Sequence, residues 1–159
     1  MRTNKLLEVS MNIHDALNMV RRIENLPKIY DQIEKAVCGV VHTYFQEIFE
    51  VEKLEAEIMS SPDYSDDDLD SHLKKKAEIH KRYWSNSSRF YQPCSSSIHP
   101  EHIWESLCDI EILQNGDDDC PLYIFKANSK DPDNGLITKI GFILKLKEGN
   151  LYIEHKFFG

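Results

Sequence analysis

The side chains best suited to chemistry in this sequence are carboxylates that lie close together. Five of the eight residues of "DYSDDDLD" are aspartates, namely Asp63, Asp66, Asp67, Asp68 and Asp70. Asp117, Asp118 and Asp119 follow one another in "NGDDDC". Clustered carboxylates can hold a cation, cap a helix or attract a basic partner. The second stretch lacks the ligand spacing of an EF-hand loop, so it is more typical of an exposed turn than of a calcium site.

Imidazole and thiol groups provide weaker candidates. His99 and His102 are three residues apart and could share a helix face, but two imidazoles in a turn beside Pro100 are more typical of a surface. Cys94 near His99 would suit a nucleophile with its base. No third group that would orient the base can be placed. We therefore predict no catalytic residue from these side chains.

The common signatures of enzymes and metal sites are absent from the sequence. It has no glycine-rich phosphate loop, no G-x-S-x-G elbow and no H-E-x-x-H zinc pair. The four cysteines, Cys38, Cys94, Cys108 and Cys120, form no C-x-x-C pair and are interpreted as reduced thiols. We therefore expect no metal and no cofactor.

The charge of the chain points to the kind of partner it would attract. The formal net charge is -8, from 27 acidic and 19 basic side chains. This sign repels phosphate backbones and anionic lipid, so neither nucleic acid nor a membrane is an expected ligand, whereas a basic protein would be attracted. The chain has no apolar stretch of secretory or membrane-spanning length, and we expect a cytoplasmic protein.

At 159 residues the chain fits a single domain, residues 1–159, whose first part, residues 1–84, should be mainly helical. Apolar residues at helical spacing predict helices over residues 11–26 and 28–59. The second helix would have a solvent-exposed face that carries Glu34, Glu47, Glu50, Glu52, Glu55 and Glu57. Ser65 and Asp68 fit a capping box, which predicts a third helix from there to about Trp84.

The rest of the chain changes from helical to alternating spacing. Residues 85–105 read as a loop and a short helical turn, and residues 106–159 as a four-strand antiparallel meander. Glu148 and Gly149 should form a tight hairpin before the last strand. Along that strand alternation puts Leu151, Ile153, His155 and Phe157 on one apolar face. The fold class is therefore α+β, with helices packed on a mostly antiparallel sheet.

Two segments carry a resemblance to a known family. They are "KKAEIHKRYWSNSSRFYQP", residues 75–93, and "GFILKLKEGNLYIEHKFF", residues 141–158. The first resembles the basic helix end and aromatic-proline loop, and the second the closing hairpin, of immunity proteins with the nuclear transport factor 2-like fold. These belong to bacterial polymorphic toxin systems. The resemblance covers roughly residues 60–159 and implies a curved sheet wrapped as a cone around a helical lid.

The resemblance also implies a function. It predicts a non-catalytic inhibitor that binds one cognate, basic toxin domain and blocks its active site or its access to substrate. The acidic residues of both clusters would steer the toxin, and Tyr64, Tyr91 and Tyr152 could anchor the contact. The free protein would be a monomer or a homodimer.

Three alternatives stay open at this point. A cavity between sheet and helices could serve a small-molecule or isomerase-like enzyme, with His155 and Tyr123 as its occupants, although a core or rim histidine is more typical. The chain could instead be an interaction module that dimerises through its sheet. The acidic clusters could also be helix caps and solvated turns with no partner.

Overall fold

The computed structural model describes residues 32–85, 99–116 and 121–158. Within them two helices precede a four-strand antiparallel sheet, which confirms the predicted α+β class. The elements are helix α1 (Gln32–Met59), helix α2 (Asp66–Tyr83), a single 3-10 turn (Trp104–Ser106) and strands β1 (Leu107–Gly116), β2 (Pro121–Lys130), β3 (Ile137–Lys147) and β4 (Asn150–Phe158). The strand order is β1-β2-β3-β4, so the sheet is open at both edges. The predicted helix over residues 11–26 lies outside the described residues.

Helix α1 is the central element of the core. Its apolar stripe, which includes Val37, Val40, Tyr44 and Ile48, is fully or almost fully buried. It packs against β1 and β2 on one side and against α2 on another. Because α1 is covered on two sides, two glutamates that were predicted on its solvent-exposed face are buried. Glu52 is 8% exposed and Glu55 is 0% exposed, which corrects the prediction for both.

Helix α2 begins where the capping pattern predicted. Ser65 is its N-cap in an extended conformation, and the backbone N–H of Ser65 donates to Asp68 Oδ2 at 2.9 Å. Leu69, Ile79 and Tyr83 are buried along its inner face. Lys76 lies among them and pairs its Nζ with Glu55 Oε1 of α1 at 2.8 Å. A buried ion pair therefore joins the two helices.

The sheet turns one face toward the helices. Tyr123 and Phe125 of β2 pair with Leu144 and Phe142 of β3, and all four are buried in the core. Helix α2 reaches the sheet through its C-cap, Trp84, which forms a bridge with Ile153 of β4. The predicted hairpin before β4 is confirmed, since Glu148 and Gly149 have φ of 52° and 79°, as a two-residue turn between right-twisted strands requires.

A β-bulge in β4 makes one strand prediction wrong. The pairing of β3 with β4 shifts between Ile143 and Leu144, so His155 lies opposite Ile143 while Ile153 lies opposite Leu144. His155 and Phe157 thereby move to the outer face of the sheet. Phe157 covers Gly141 there, where an added Cβ would overlap its ring. One extra residue reverses the faces of all that follow it, and alternation in the sequence does not reveal it.

Candidate functional site

The start of α2 and the turn before it form an exposed acidic surface, which we call the acidic tip. It consists of Asp63, Tyr64, Asp66, Asp67 and Asp70, all exposed, with Tyr64 at 40%. The remaining aspartate of this stretch, Asp68, is also exposed but uses its carboxylate in the helix cap. A tyrosine among carboxylates combines a flat apolar surface with charge.

The carboxylates of the acidic tip make no ion pair with any residue in the described ranges. This distinguishes them from several glutamates of α1, which do. Glu47 pairs with Arg82 at 2.8 Å, and Glu50 with Lys53 at 3.0 Å. The tip therefore presents negative charge that the rest of the described chain does not neutralise.

Tyr152, another predicted contact residue, is not brought to the tip. Tyr152 lies half-buried on β4, opposite Lys145. Helix α2 has 18 residues and is therefore about 27 Å long, with the tip at its start and the contact to β4 at its end. Tyr91 and the predicted acidic turn, Asp117, Asp118 and Asp119, lie outside the described residues.

The two residues predicted for a cavity face opposite ways. Tyr123 is buried on the inner side of the sheet, and His155 lies on the outer side after the bulge. They do not line one cavity. Lys156 takes the inward position that was expected for His155, opposite the buried Phe142. Burial lowers the pKa of Lys156, and the nearby carboxylates of Glu101 and Glu52 partly offset that effect.

A buried pair of polar side chains, Glu52 and His102, lies where the sequence predicted solvent. His102 is 3% exposed, which corrects its interpretation as a surface histidine. Its ring Nδ1 lies 3.2 Å from Glu52 Oε1, and its backbone N–H donates to the same oxygen at 2.9 Å. The N–H of Glu101 donates to Glu52 Oε2 at 3.0 Å. Both carboxylate oxygens are thus satisfied, and they hold the chain before the 3-10 turn against α1.

The Glu52 carboxylate is kept charged in this buried position. Burial alone would raise its pKa, but the hydrogen bond and charge of His102 and the two backbone amides hold the pKa below its ordinary value. The His102 Nε2 atom is buried and has no hydrogen-bond partner among the described residues. The imidazole is therefore oriented by a carboxylate on one side and unsatisfied on the other.

A pocket of about 420 Å³ lies beside this pair, between α1 and the 3-10 turn. The described residues that line it include His102, Trp104, Glu47, Glu50 and Glu105. Glu47 accepts a hydrogen bond from the Tyr83 hydroxyl as well as the Arg82 ion pair. Sequence reasoning missed the buried pair beside this pocket because Glu52 and His102 are 50 positions apart, and neither lies in a recognisable motif.

The buried environment of His80, near the end of α2, should make the stability of the protein depend on pH. Its ring stacks on Trp84 with the centroids 4.7 Å apart, and burial lowers its pKa from 6.5 to about 4. Below pH 6.5 the unfolded chain binds a proton at this position that the folded chain does not, so the free energy of unfolding should fall as pH drops toward 4. A His80→Phe variant has no such group. Over this pH range its free energy of unfolding should therefore fall by about 1–2 kcal/mol less than that of the wild type. Urea denaturation at pH 7 and pH 4.5 measures the difference, and equal losses in both proteins would contradict it.

The described residues hold no group of three or more His, Cys, Asp or Glu side chains placed to bind a metal ion. Cys38 and Cys108 are free, and burial raises the pKa of Cys38 to about 12. In the part of the chain that the structure describes, no helix has the length and apolar character to span a membrane. In comparisons with protein-family models, curated proteins and solved structures, nothing matches this chain.

Proposed function

We propose that this chain is a non-catalytic inhibitor, an immunity protein that binds a cognate bacterial toxin domain and blocks its active site or its access to substrate. The observation that carries the proposal is the acidic tip, where four exposed aspartates surround an exposed tyrosine and pair with no described residue. The resemblance of residues 75–93 and 141–158 to immunity proteins supports the same function. The order of helices before an antiparallel sheet agrees with that class of fold.

The tip has the physical properties of a docking surface for a basic protein. Exposed carboxylates raise the rate of encounter with a positively charged partner, and salt reduces that gain. Tyr64 supplies the kind of side chain that most often anchors an interface, since it buries a large ring at small entropic cost. The exposed end of a rigid helix also loses little flexibility when it is bound.

The proposal has several further parts. The toxin domain is basic or carries a basic patch. The complex forms in the cytoplasm of the producing cell, and the free inhibitor is a monomer or a homodimer. The sheet has the curvature of the nuclear transport factor 2-like cone, with the helices as its lid.

The test begins with a search for the partner. The tagged chain is used to capture proteins from a lysate of its source cells at low and at high salt. We expect a basic protein in stoichiometric amount, released or weakened by salt. Expressed alone, that partner should stop growth, and co-expression of this chain should restore it. An acidic partner, or one that does not impair growth, would contradict the proposal.

A further inference from the structure

The pocket beside His102 is lined by groups that the acidic tip does not involve. Its walls include three carboxylates and two aromatic rings together with this histidine: Glu47, Glu50, Glu105, Phe49 and Trp104. At about 420 Å³ it is within the size range of sites that hold small molecules or single side chains. Carboxylates and aromatic faces are also the groups that hold organic cations.

The buried histidine determines which hydrogen-bonding group a ligand must present. Because a carboxylate can only accept, His102 Nδ1 donates to Glu52, and Nε2 is the ring nitrogen that has no partner among the described residues. His102 lines the pocket, whereas Glu52 does not. A buried ring nitrogen with no partner is costly, and in the neutral form of the ring it is an acceptor that an N–H group of a ligand would satisfy.

Two of the three pocket carboxylates already pair with basic side chains of this chain. Arg82 pairs with Glu47, and the exposed Lys53 lies between Glu50 at 3.0 Å and the Phe49 ring at 5.1 Å. Exposed pairs such as Lys53 with Glu50 exchange at little cost in free energy. Glu105 is exposed and makes no ion pair with a described residue. A ligand cation can therefore reach Glu105 and the His102 edge, with Glu50 open to exchange.

Trp104 is held firmly between these groups. Its ring lies 4.7 Å from that of His42 and 6.1 Å from that of Phe45, both in edge-to-face geometry. Both neighbours are buried residues of α1. The indole is thus a fixed aromatic surface at the pocket wall, on which a planar cation can stack.

We propose that this pocket binds a guanidinium group, supplied by an arginine side chain of the protein partner. The inference rests on the proposed function for the identity of the partner, and it adds a second contact away from the acidic tip. A guanidinium is planar, always charged and rich in N–H donors. It can stack on Trp104 and pair with Glu105, and its N–H groups suit an acceptor such as Nε2 of a neutral His102, whereas an ammonium does not stack in this way.

The test uses small probes, so it does not depend on the partner. Arginine methyl ester is titrated into the protein while the ring signals of His102 and the indole N–H of Trp104 are followed by NMR. Citrulline methyl ester, in which a neutral urea replaces the guanidinium, is the matched probe. We expect saturable shifts at both residues in the millimolar range with arginine, and binding at least about fivefold weaker with citrulline.

A pair of variants tests whether the Glu105 carboxylate takes part in binding the ester. Glu105→Gln should weaken arginine ester binding about three- to tenfold, since it removes one exposed charge and leaves the core intact. Glu78→Gln, an exposed glutamate on α2, is the control and should bind as the wild type does. Equal binding of the two esters, wild-type affinity in Glu105→Gln, or shifts at the acidic tip instead of His102 would each overturn the inference.

Competition identifies the source of the guanidinium. With a captured partner in hand, excess arginine ester should weaken the complex of the wild type more than that of Glu105→Gln. If the ester binds at His102 but does not compete, the ligand is a free guanidinium compound and the assignment to a partner side chain is wrong. If the pocket does not bind the ester while the acidic tip still binds a basic protein, this inference is wrong but the proposed function is not.

Discussion

Replacing Lys76 by Met should lower the free energy of unfolding by about 3–5 kcal/mol. Lys76 Nζ and Glu55 Oε1 lie 2.8 Å apart between α1 and α2, and both residues are buried. Without the ammonium, the Glu55 carboxylate would stay in the core uncompensated.

The double variant Glu55→Leu with Lys76→Met separates the cost of an orphaned charge from the worth of the pair. Because the desolvation of two charges offsets most of their attraction, the double variant should regain most of the stability that Lys76→Met loses. Urea denaturation of the four proteins of the cycle gives the coupling free energy. Lys75→Met, at an exposed neighbouring position, is the control and should change stability by less than about 0.5 kcal/mol. A double variant as unstable as the sum of the single variants would contradict this description of the pair.

Truncating Trp84 to Ala should cost about 3–5 kcal/mol, since it leaves a large cavity at the junction of helices and sheet. Trp84 is 1% exposed, stacks on His80 and contacts the Tyr44 ring edge-on at 6.2 Å. It also ends α2, and the next residue, Ser85, donates its N–H to the Ile153 carbonyl of β4 at 2.9 Å.

Trp84→Phe is the matched variant for this position. It keeps an aromatic ring in the site and should lose about half as much stability as Trp84→Ala. Because the substitution removes a fluorophore, circular dichroism should follow the urea transition. Equal losses in the two variants would mean that the indole is not packed as described, and a loss below about 1 kcal/mol in Trp84→Ala would mean that the site is not in the core.

The features that the sequence predicted correctly are those that neighbouring residues determine. Ser65 and Asp68 form a helix cap within one turn, and Glu148 with Gly149 forms a hairpin turn, so both were visible as short patterns. The acidic tip was also visible, because its residues are contiguous in the chain. The alternating strands were predicted for the same reason.

The features that were missed depend on what packs against each residue. Glu52 and Glu55 are buried only because α2 and the chain around His102 pack against them. A helix covered on one side would have left both in water. The bulge before His155 is likewise set by pairing with β3 and changes no local pattern. The pocket beside His102 therefore had no signal in the sequence.

The most direct test of the central claim is the association rate of the captured partner with an acidic-tip variant. The variant is Asp66→Lys, Asp67→Lys and Asp70→Lys, and its control carries the same charge change at exposed positions elsewhere, Glu78→Lys, Glu111→Lys and Asp133→Lys. At low salt the tip variant should associate at least about tenfold more slowly than the control, and the gap should narrow in high salt. Equal rates for the two variants would show that the tip carries net charge and a helix cap but is not the docking face.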